Sequence, residues 1–340
     1  MSGEIGLLWS STGNRFPACA LPRGMVGRKL LSALVVLSIA LQGCVGSTNS
    51  ILGGSDDLEV PEWEIGDWWL FTFTTPEFYD DSARLVVATV DEEEGGTAYM
   101  LGISSEEEAR RHAVLNHNPF LGRITHSTLG VFENGFEQPV LSFPLSTKYW
   151  EFSLFDVDWE AQSTLDGQRA HVTATGSDGG VLTYTYDESV KFITSFVRKD
   201  SEGLELLRIT LAQSGTDHTG EVHFMRGKDL LSRDYENDSP SGDVEDSFLV
   251  QDHPNDGSWD EMIYLMDASA GGGGSSITLT LRDHTSSSVL ERFWGPGSSE
   301  SGTLGTIPSP SGEYTLTASF TGQTELGIMI AGGIGYSWSL

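Results

Sequence analysis

The sequence predicts a mainly β protein: a large curved antiparallel sheet with one short helix, followed by a small β-sandwich. Two observations carry this. From Val60 onward, segments rich in Val, Ile, Thr, Phe, Tyr and Trp recur between clusters of Gly, Asn, Asp and Ser, the pattern of strands and turns. Only one stretch, beginning at Ser105, has helical start signals.

Taken in order, the first ordered stretch places Trp63, Trp68, Trp69, Phe71 and Phe73 around a turn-forming Gly66-Asp67. Residues 84–90 and 97–103 flank an acidic Asp-Glu-Glu-Glu-Gly-Gly loop and read as a hairpin. Ser105 and Glu108 form a capping box, in which the serine bonds the amide three residues on and the glutamate reaches back. Acids in the first turn and Arg110 and Arg111 further along complement the helix dipole. Ala109, His112, Ala113 and Leu115 follow, and Asn118-Pro119 is expected to end the helix. Strands are then expected over 124–132, 137–143, 149–156, 170–176, 181–186, 191–199 and 204–212. The last two, joined by Asp200-Ser201-Glu202-Gly203, form the clearest hairpin, with Gly where a positive φ is wanted. Long strands with a single helix imply one broad antiparallel sheet over residues 60–230.

The Trp-x-x-Gly-Asp-Trp entry strand, Phe143-Pro144-Leu145 before Tyr149-Trp150, and the closing hairpin resemble the curved-sheet domains of exported lipoproteins in the LolA/LppX-like group. The resemblance implies an unclosed barrel with a helix in its mouth, and a hydrophobic or lipidic ligand. Trp63, Trp68, Trp69, Trp150 and Trp159 would then line an apolar groove if the sheet is open on its concave side. The alternative places these side chains in a packed core.

Residues 231–247, polar and acidic with Ser-Pro-Ser-Gly, read as a linker between domains. They contain an Asn-x-Ser sequon at Asn237, where a glycan would be tolerated. Residues 248–340 carry seven short strand candidates, at 261–268, 277–282, 289–294, 302–307, 314–320, 326–331 and 335–338, separated by Gly, Ser and Pro. This is the layout of a sandwich. The run from Ser311 to Leu316 followed by Gly322 resembles the small jelly-roll or prepeptidase-type sandwiches of secreted proteins, which implies an adhesive or stabilising role.

The address is written before Val60. Arg28 and Lys29 precede an apolar run over 30–41, about 12 residues, short of the roughly 20 needed to span a bilayer. Leu41-Gln42-Gly43-Cys44 resembles the lipobox of bacterial and archaeal lipoproteins, which implies diacylglyceryl attachment at Cys44. An uncleaved anchor and an ordinary secretory signal cut before Ser47 are the alternatives. Residues 25–43 are therefore expected to be a lipoprotein signal peptide and 44–59 a flexible tether. Residues 1–24 are expected to be an extension that is mis-annotated or removed, with Met25 the true start. Each buried methylene contributes roughly 0.8 kcal/mol of membrane affinity, so two acyl chains hold a protein firmly.

The chain carries 49 acidic against 19 basic residues, a formal charge of −30. Phosphates would be repelled within a Debye length of about 8 Å, which excludes nucleic acid as a partner. With Cys19 removed, Cys44 is the only thiol, so no disulfide framework and no thiolate metal site is expected. His112 and His117, and His218 and His223, are each five apart, with no His-Glu-x-x-His motif; His218 with Asp217 and His223 could form half of a metal site, against which stands a surface or satisfied histidine. The best cation candidate is Asp252, Asp256, Asp260 and Glu261, oxygen ligands around Gly257 that suit calcium. No Gly-x-Ser-x-Gly occurs, and Asp156 and Asp158 are the acid pair that chance supplies in so acidic a chain. The expectation is a non-catalytic, lipid-anchored protein on the extracytoplasmic face of the membrane that binds a hydrophobic ligand in its first domain. The alternative is a structural or adhesive surface protein that contacts envelope proteins through the sandwich.

Overall fold

The computed structural model describes residues 57–76, 80–93, 96–133, 135–252, 257–308 and 311–340. The expected signal, the lipobox-like segment with Cys44 and most of the expected tether lie outside the described residues. The tether ends earlier than expected, because Leu58 is buried and bridges Leu145 through paired backbone hydrogen bonds of 2.8 and 2.7 Å.

The first half comprises β1 (Trp68–Thr74), β2 (Asp81–Glu93), β3 (Gly96–Ile103), helix α1 (Glu106–Leu115), β4 (Gly122–Thr125), β5 (Val131–Glu133), β6 (Phe136–Gln138), β7 (Tyr149–Leu154), β8 (Val157–Asp166), β9 (Arg169–Gly176), β10 (Val181–Asp187), β11 (Phe192–Lys199) and β12 (Glu205–Gly215). The second half holds β13 (Glu221–Asn237), β14 (Gly242–Val250), β15 (Glu261–Ala270), β16 (Ser276–Arg282), β17 (Ser288–Trp294), β18 (Ser299–Pro308), β19 (Gly312–Thr321) and β20 (Thr324–Ser339). The expected mainly β architecture, a large antiparallel sheet with one short helix and a sandwich, is what forms among the described residues.

A 14-stranded sheet runs in the order β18-β15-β20-β13-β3-β2-β1-β12-β11-β10-β9-β8-β7, with β4 paired to β3. Strict alternation turns Trp69, Phe71 and Phe73 of β1 inward, onto a core shared with β2, β3 and β7 to β12. That inner face is filled by the segment between α1 and β7, through Phe120, Leu129, Val131, Val140, Leu141 and Leu145. A second core lies between a four-stranded sheet, ordered β14-β19-β16-β17, and the β13, β15, β18 and β20 end of the large sheet. This is the sandwich, and its two layers share the apolar side chains of Leu279, Leu316, Phe320, Met262, Tyr264 and Ile328.

The expected linker is structured. Residues 231–237 complete β13, residues 242–247 begin β14, and only 238–241 connect them. Alternation explains the misreading. Leu231 turns inward and Tyr235 packs at the core edge while charged neighbours face water, and Tyr235 and Arg233 both bond Asp246 on β14. A polar strand with one apolar face reads as a linker when the apolar positions are sparse. Ser55–Leu340 accordingly form one compact unit with two cores.

The two halves of the large sheet meet at a single register pair, His223 of β13 opposite Ile103 of β3. Helix α1 covers this seam. Ser105 caps it by accepting from the Glu108 amide at 3.3 Å, and Asn116, in the left-handed region at φ 46°, closes it two residues before the expected stop. Ala109 packs into the first core, while Ala113 and Val114 pack against Ile263, Leu265 and Ala331 on the reverse face of the sandwich. The approach to β13 is so close that a Cβ at Gly227 would collide with the Ala113 carbonyl. Arg110 ties the helix to β15 through Glu261, Nε to Oε1 2.6 Å.

Candidate functional site

The five tryptophans divide. Trp63, Trp69 and Trp159 are buried in the first core, where Trp63 and Trp69 pack against each other and against Phe192 with ring centroids about 5 Å apart. Each indole N–H donates to a backbone carbonyl: Trp63 to Lys191 (2.9 Å), Trp69 to Val190 (3.0 Å) and Trp159 to Leu154 (2.9 Å). Their polar ends are satisfied internally, and the chain itself occupies the space that a groove would need. Trp68 faces the opposite side of the sheet, under the Arg84 guanidinium at 4.5 Å, beside Val86, Ala88, Val222 and Trp338. Trp150 is half-buried at the core edge and donates to Pro139 (2.8 Å). Trp63, Trp69 and Trp159 therefore belong to a packed core, the second of the two readings that the sequence left open.

The calcium candidates are engaged separately. Asp252 accepts from Ser311, Asp260 Oδ2 accepts from the Gly335 amide at 2.9 Å, and Glu261 is held by Arg110. Asp256 lies outside the described residues. The sequon residue Asn237 donates Nδ2 to the carbonyls of Ser239 (2.9 Å) and Gly322 (2.7 Å), so the atom that would carry a glycan is already bonded.

A cleft of about 750 Å³ opens where α1, β4, the β5-β6 hairpin, the β7-β8 turn and β13 converge. Its apolar walls are Met100, Leu121, Phe132, Phe155, Phe224 and Met225, and its rim carries Arg123, Arg226 and Lys228 against Glu133 and Asp156. Local backbone constraints aim these groups. Phe155 and Asp156 form a two-residue hairpin loop with both φ values positive, 56° and 57°. That conformation is strained for a phenylalanine and is found at sites where function demands it. It turns the Phe155 ring onto the cleft, beneath the Arg198 guanidinium at 4.7 Å. Gly122, at φ 84°, lets the Phe224 ring approach so closely that a Cβ would lie 2.8 Å from it. Arg123 lies over Phe132 at 5.5 Å and Arg226 over Tyr336 at 5.8 Å, so the cations sit on aromatic faces. Asn118, buried in the wall, accepts from the Phe120 amide, and its Nδ2 has no hydrogen-bond partner among the described residues.

His112 forms part of the cleft wall and leads to a polar cluster behind it. It is 3% exposed, and neither ring nitrogen has a hydrogen-bond partner among the described residues. The His117 nitrogens are likewise unpartnered, and its ring lies 4.7 Å from that of His112, both rings edging Phe73. Across from them stand Asp81 and Glu108, with Arg111 Nε 3.3 Å from Asp81 and 3.8 Å from Glu108. Burial, then contact with Asp81, pushes the Glu108 carboxyl up to about 7. Burial drives His112 well below the usual histidine value, with His117 and Arg111 adding to it, and takes His117 down to about 4. Glu108 and His112 are four apart on one helix face, which is the sequence signal that could have paired them. Nothing local in sequence could bring Asp81 to them.

No protein-family profile matches the chain, and no curated protein matches it. Among solved structures, it is similar to PNGF-II at 6% identity, covering 79% of this chain and 67% of that one, with a TM-score of 0.23. A glycoside hydrolase family 43 arabinoxylan arabinofuranohydrolase from Bacillus subtilis follows at 8% identity, 73% and 66% coverage and a TM-score of 0.16. An exo-beta-1,3-galactanase from Phanerochaete chrysosporium stands at 9% identity, 77% and 68% coverage and a TM-score of 0.16. Likenesses at these TM-scores carry no argument about this chain, which is placed in no known family by them.

Proposed function

We propose that the protein is a non-catalytic, lipid-anchored protein of the extracytoplasmic membrane face, and that its cleft holds an amphiphile with an anionic headgroup. The cleft carries the reading. In a chain of formal charge −30, three of its few cations gather around one aromatic-walled opening. Apolar walls with a small number of placed polar groups are the usual form of a small-molecule site. The cations and the buried Asn118 amide would bond the headgroup, and Phe155, Phe224 and Met225 would pack on its chain. The anchor rests on the signal and the lipobox around Cys44. Among the described residues no helix is long and apolar enough to cross a membrane.

The test is equilibrium binding of a fluorescent phosphatidylglycerol to the full chain in detergent, with an uncharged diacylglycerol of the same chains for comparison. Charged hydrogen bonds contribute roughly 1.5–3 kcal/mol when buried, less at an exposed rim. The double variant Arg226→Ala, Lys228→Ala is therefore expected to weaken the anionic probe about tenfold and the neutral one little. Equal binding of both probes, or of parent and variant, would overturn the reading. The adhesive alternative draws on Phe293, 68% exposed on β17, an edge strand of the four-stranded sheet and so open to pairing with another chain.

A further inference from the structure

We propose that Asp81, Glu108 and His112 form a binding site for one divalent transition-metal ion of the zinc class. One ligand atom from each of the three lies within 4.8 Å of the other two. Glu108 and His112 project from the same face of α1, one turn apart, and Asp81 opens β2 beside them. Ligands about 2 Å from zinc stand roughly 3.4 Å apart around a tetrahedral centre, so the three need to draw in by at most about 1.4 Å.

The second observation is the pair of imidazoles. A neutral imidazole presents one N–H donor and one acceptor, and buried polar groups are nearly always paired. Among the described residues His112, 3% exposed, pairs neither nitrogen, and His117 pairs neither of its own. Arg111 does not resolve this. A guanidinium has donors only, so it can answer the carboxylates it faces but cannot accept an imidazole N–H. Asp81 Oδ2 and Glu108 Oε2 face Arg111 Nε at 3.3 and 3.8 Å, ion-pair distances at which neither forms a hydrogen bond among the described residues. A cation among these groups would accept a lone pair from the imidazole and from each carboxylate at once. With both carboxylates ionised, as metal ligands must be, Arg111 beside them leaves one net negative charge for a dication to meet.

Donor chemistry selects the ion. Imidazole nitrogen with carboxylate oxygen suits zinc and its neighbours, while calcium takes six to eight oxygens. Asp81 and Glu108 keep 23% of their side chains exposed, which gives the ion a route in from solvent. Bound there, it would pin α1 to β2 across the seam and fix the cleft wall that His112 forms. This site is independent of the amphiphile.

Cobalt titration of the untagged full chain, carrying Cys19→Ser and Cys44→Ser so that no thiolate competes, tests the assignment. The expected result is one equivalent of cobalt with the weak visible absorption of nitrogen and oxygen ligands, displaced by zinc and unaffected by millimolar calcium. Asp81→Asn and His112→Gln should each weaken binding more than about tenfold, since even partners behind a ligand cost 10–100-fold. Glu106→Gln, an exposed acid on the same helix, should leave it unchanged. If His112→Gln fails to fold, Asp81→Asn at the solvent side decides. No stoichiometric cobalt band, or a band equally strong in Asp81→Asn, would overturn the proposal.

Discussion

Gly227→Ala tests whether helix α1 is the joint of this molecule. The added Cβ would meet the Ala113 carbonyl oxygen, a backbone atom that no rotamer change can move. The helix cannot retreat freely, because Ala113 and Val114 are wedged against Ile263, Leu265 and Ala331 while Ala109 sits in the first core. Overpacking of this kind costs about 1–3 kcal/mol. Against it stands the stiffer unfolded chain, which returns about 0.4–1 kcal/mol. The ranges leave about 0–2.6 kcal/mol, and a direct clash with a backbone atom puts the loss in the upper part, roughly 1–2.6 kcal/mol or about 2–10 °C in melting temperature for a chain of this size. Thermal denaturation followed by circular dichroism reads it directly. Gly272→Ala, where nothing lies within 4 Å of the new Cβ, is the control and should change stability by less than about 0.5 kcal/mol. A Gly227→Ala protein that melts with the parent, or a Gly272→Ala protein that loses as much, would refute the close approach of helix and strand.

Adjacent tryptophans should separate sharply in denaturant titrations: Trp69→Ala, emptying a buried site in the first core, should cost about 3–5 kcal/mol. Trp68→Ala, on the outer face under Arg84, should cost under about 2 kcal/mol, and equal losses would contradict the assignment of faces. Burial raises the Asp187 carboxyl, but hydrogen bonds from Ser189 and Arg169 outweigh it and hold the group below its usual 3.8. A depressed carboxylate stabilises the fold above its unfolded value and loses that contribution as pH falls through the folded one. Asp187→Asn should therefore cost about 1–3 kcal/mol at neutral pH, and its difference from the parent should shrink below about pH 4. A difference that is flat with pH would show that the charge is not what matters.

Much of the fold was legible because strands with one buried face announce themselves by alternation. Residues 97–103, 170–176 and 181–186 were found almost to the residue, as was the capping box at Ser105. Strand β8 went unread although its alternation is regular, because its inward positions include Ala161 and Ser163 among polar outward neighbours. Residues 326–331 and 335–338 read as two strands, since Gly332 and Gly333 look like a turn. In β20 they are close-approach positions, where a Cβ at Gly332 would lie 2.7 Å from the Trp259 indole and one at Gly333 2.8 Å from the Met225 sulfur. Residues 137–143 read as a strand, but only Phe136–Gln138 pair and the rest of the segment is irregular, packing Val140 and Leu141 into the core. The tryptophans misled for the opposite reason. Their richness marked an important surface, but sequence does not reveal that residues 116–148 fold back and fill it. The cleft was illegible because it is assembled from five separated segments, none of which is unusual alone.

Among the described residues the large sheet does not close on itself: β7 and β18 stand at its two ends, each with one row of backbone groups unpaired within the sheet. The smaller sheet ends likewise at β14 and β17. Open edges of this length are templates on which a second copy could add strands. A formal charge of −30 spread over the surface gives each copy a long-range reason to stay away from another, before any edge can be sampled. That protection depends on ionic strength, since the Debye length shrinks from about 30 Å at 0.01 M to 3 Å at 1 M. The acidity thus acts as colloidal insulation for an unclosed sheet, and added salt removes the long-range part of it first.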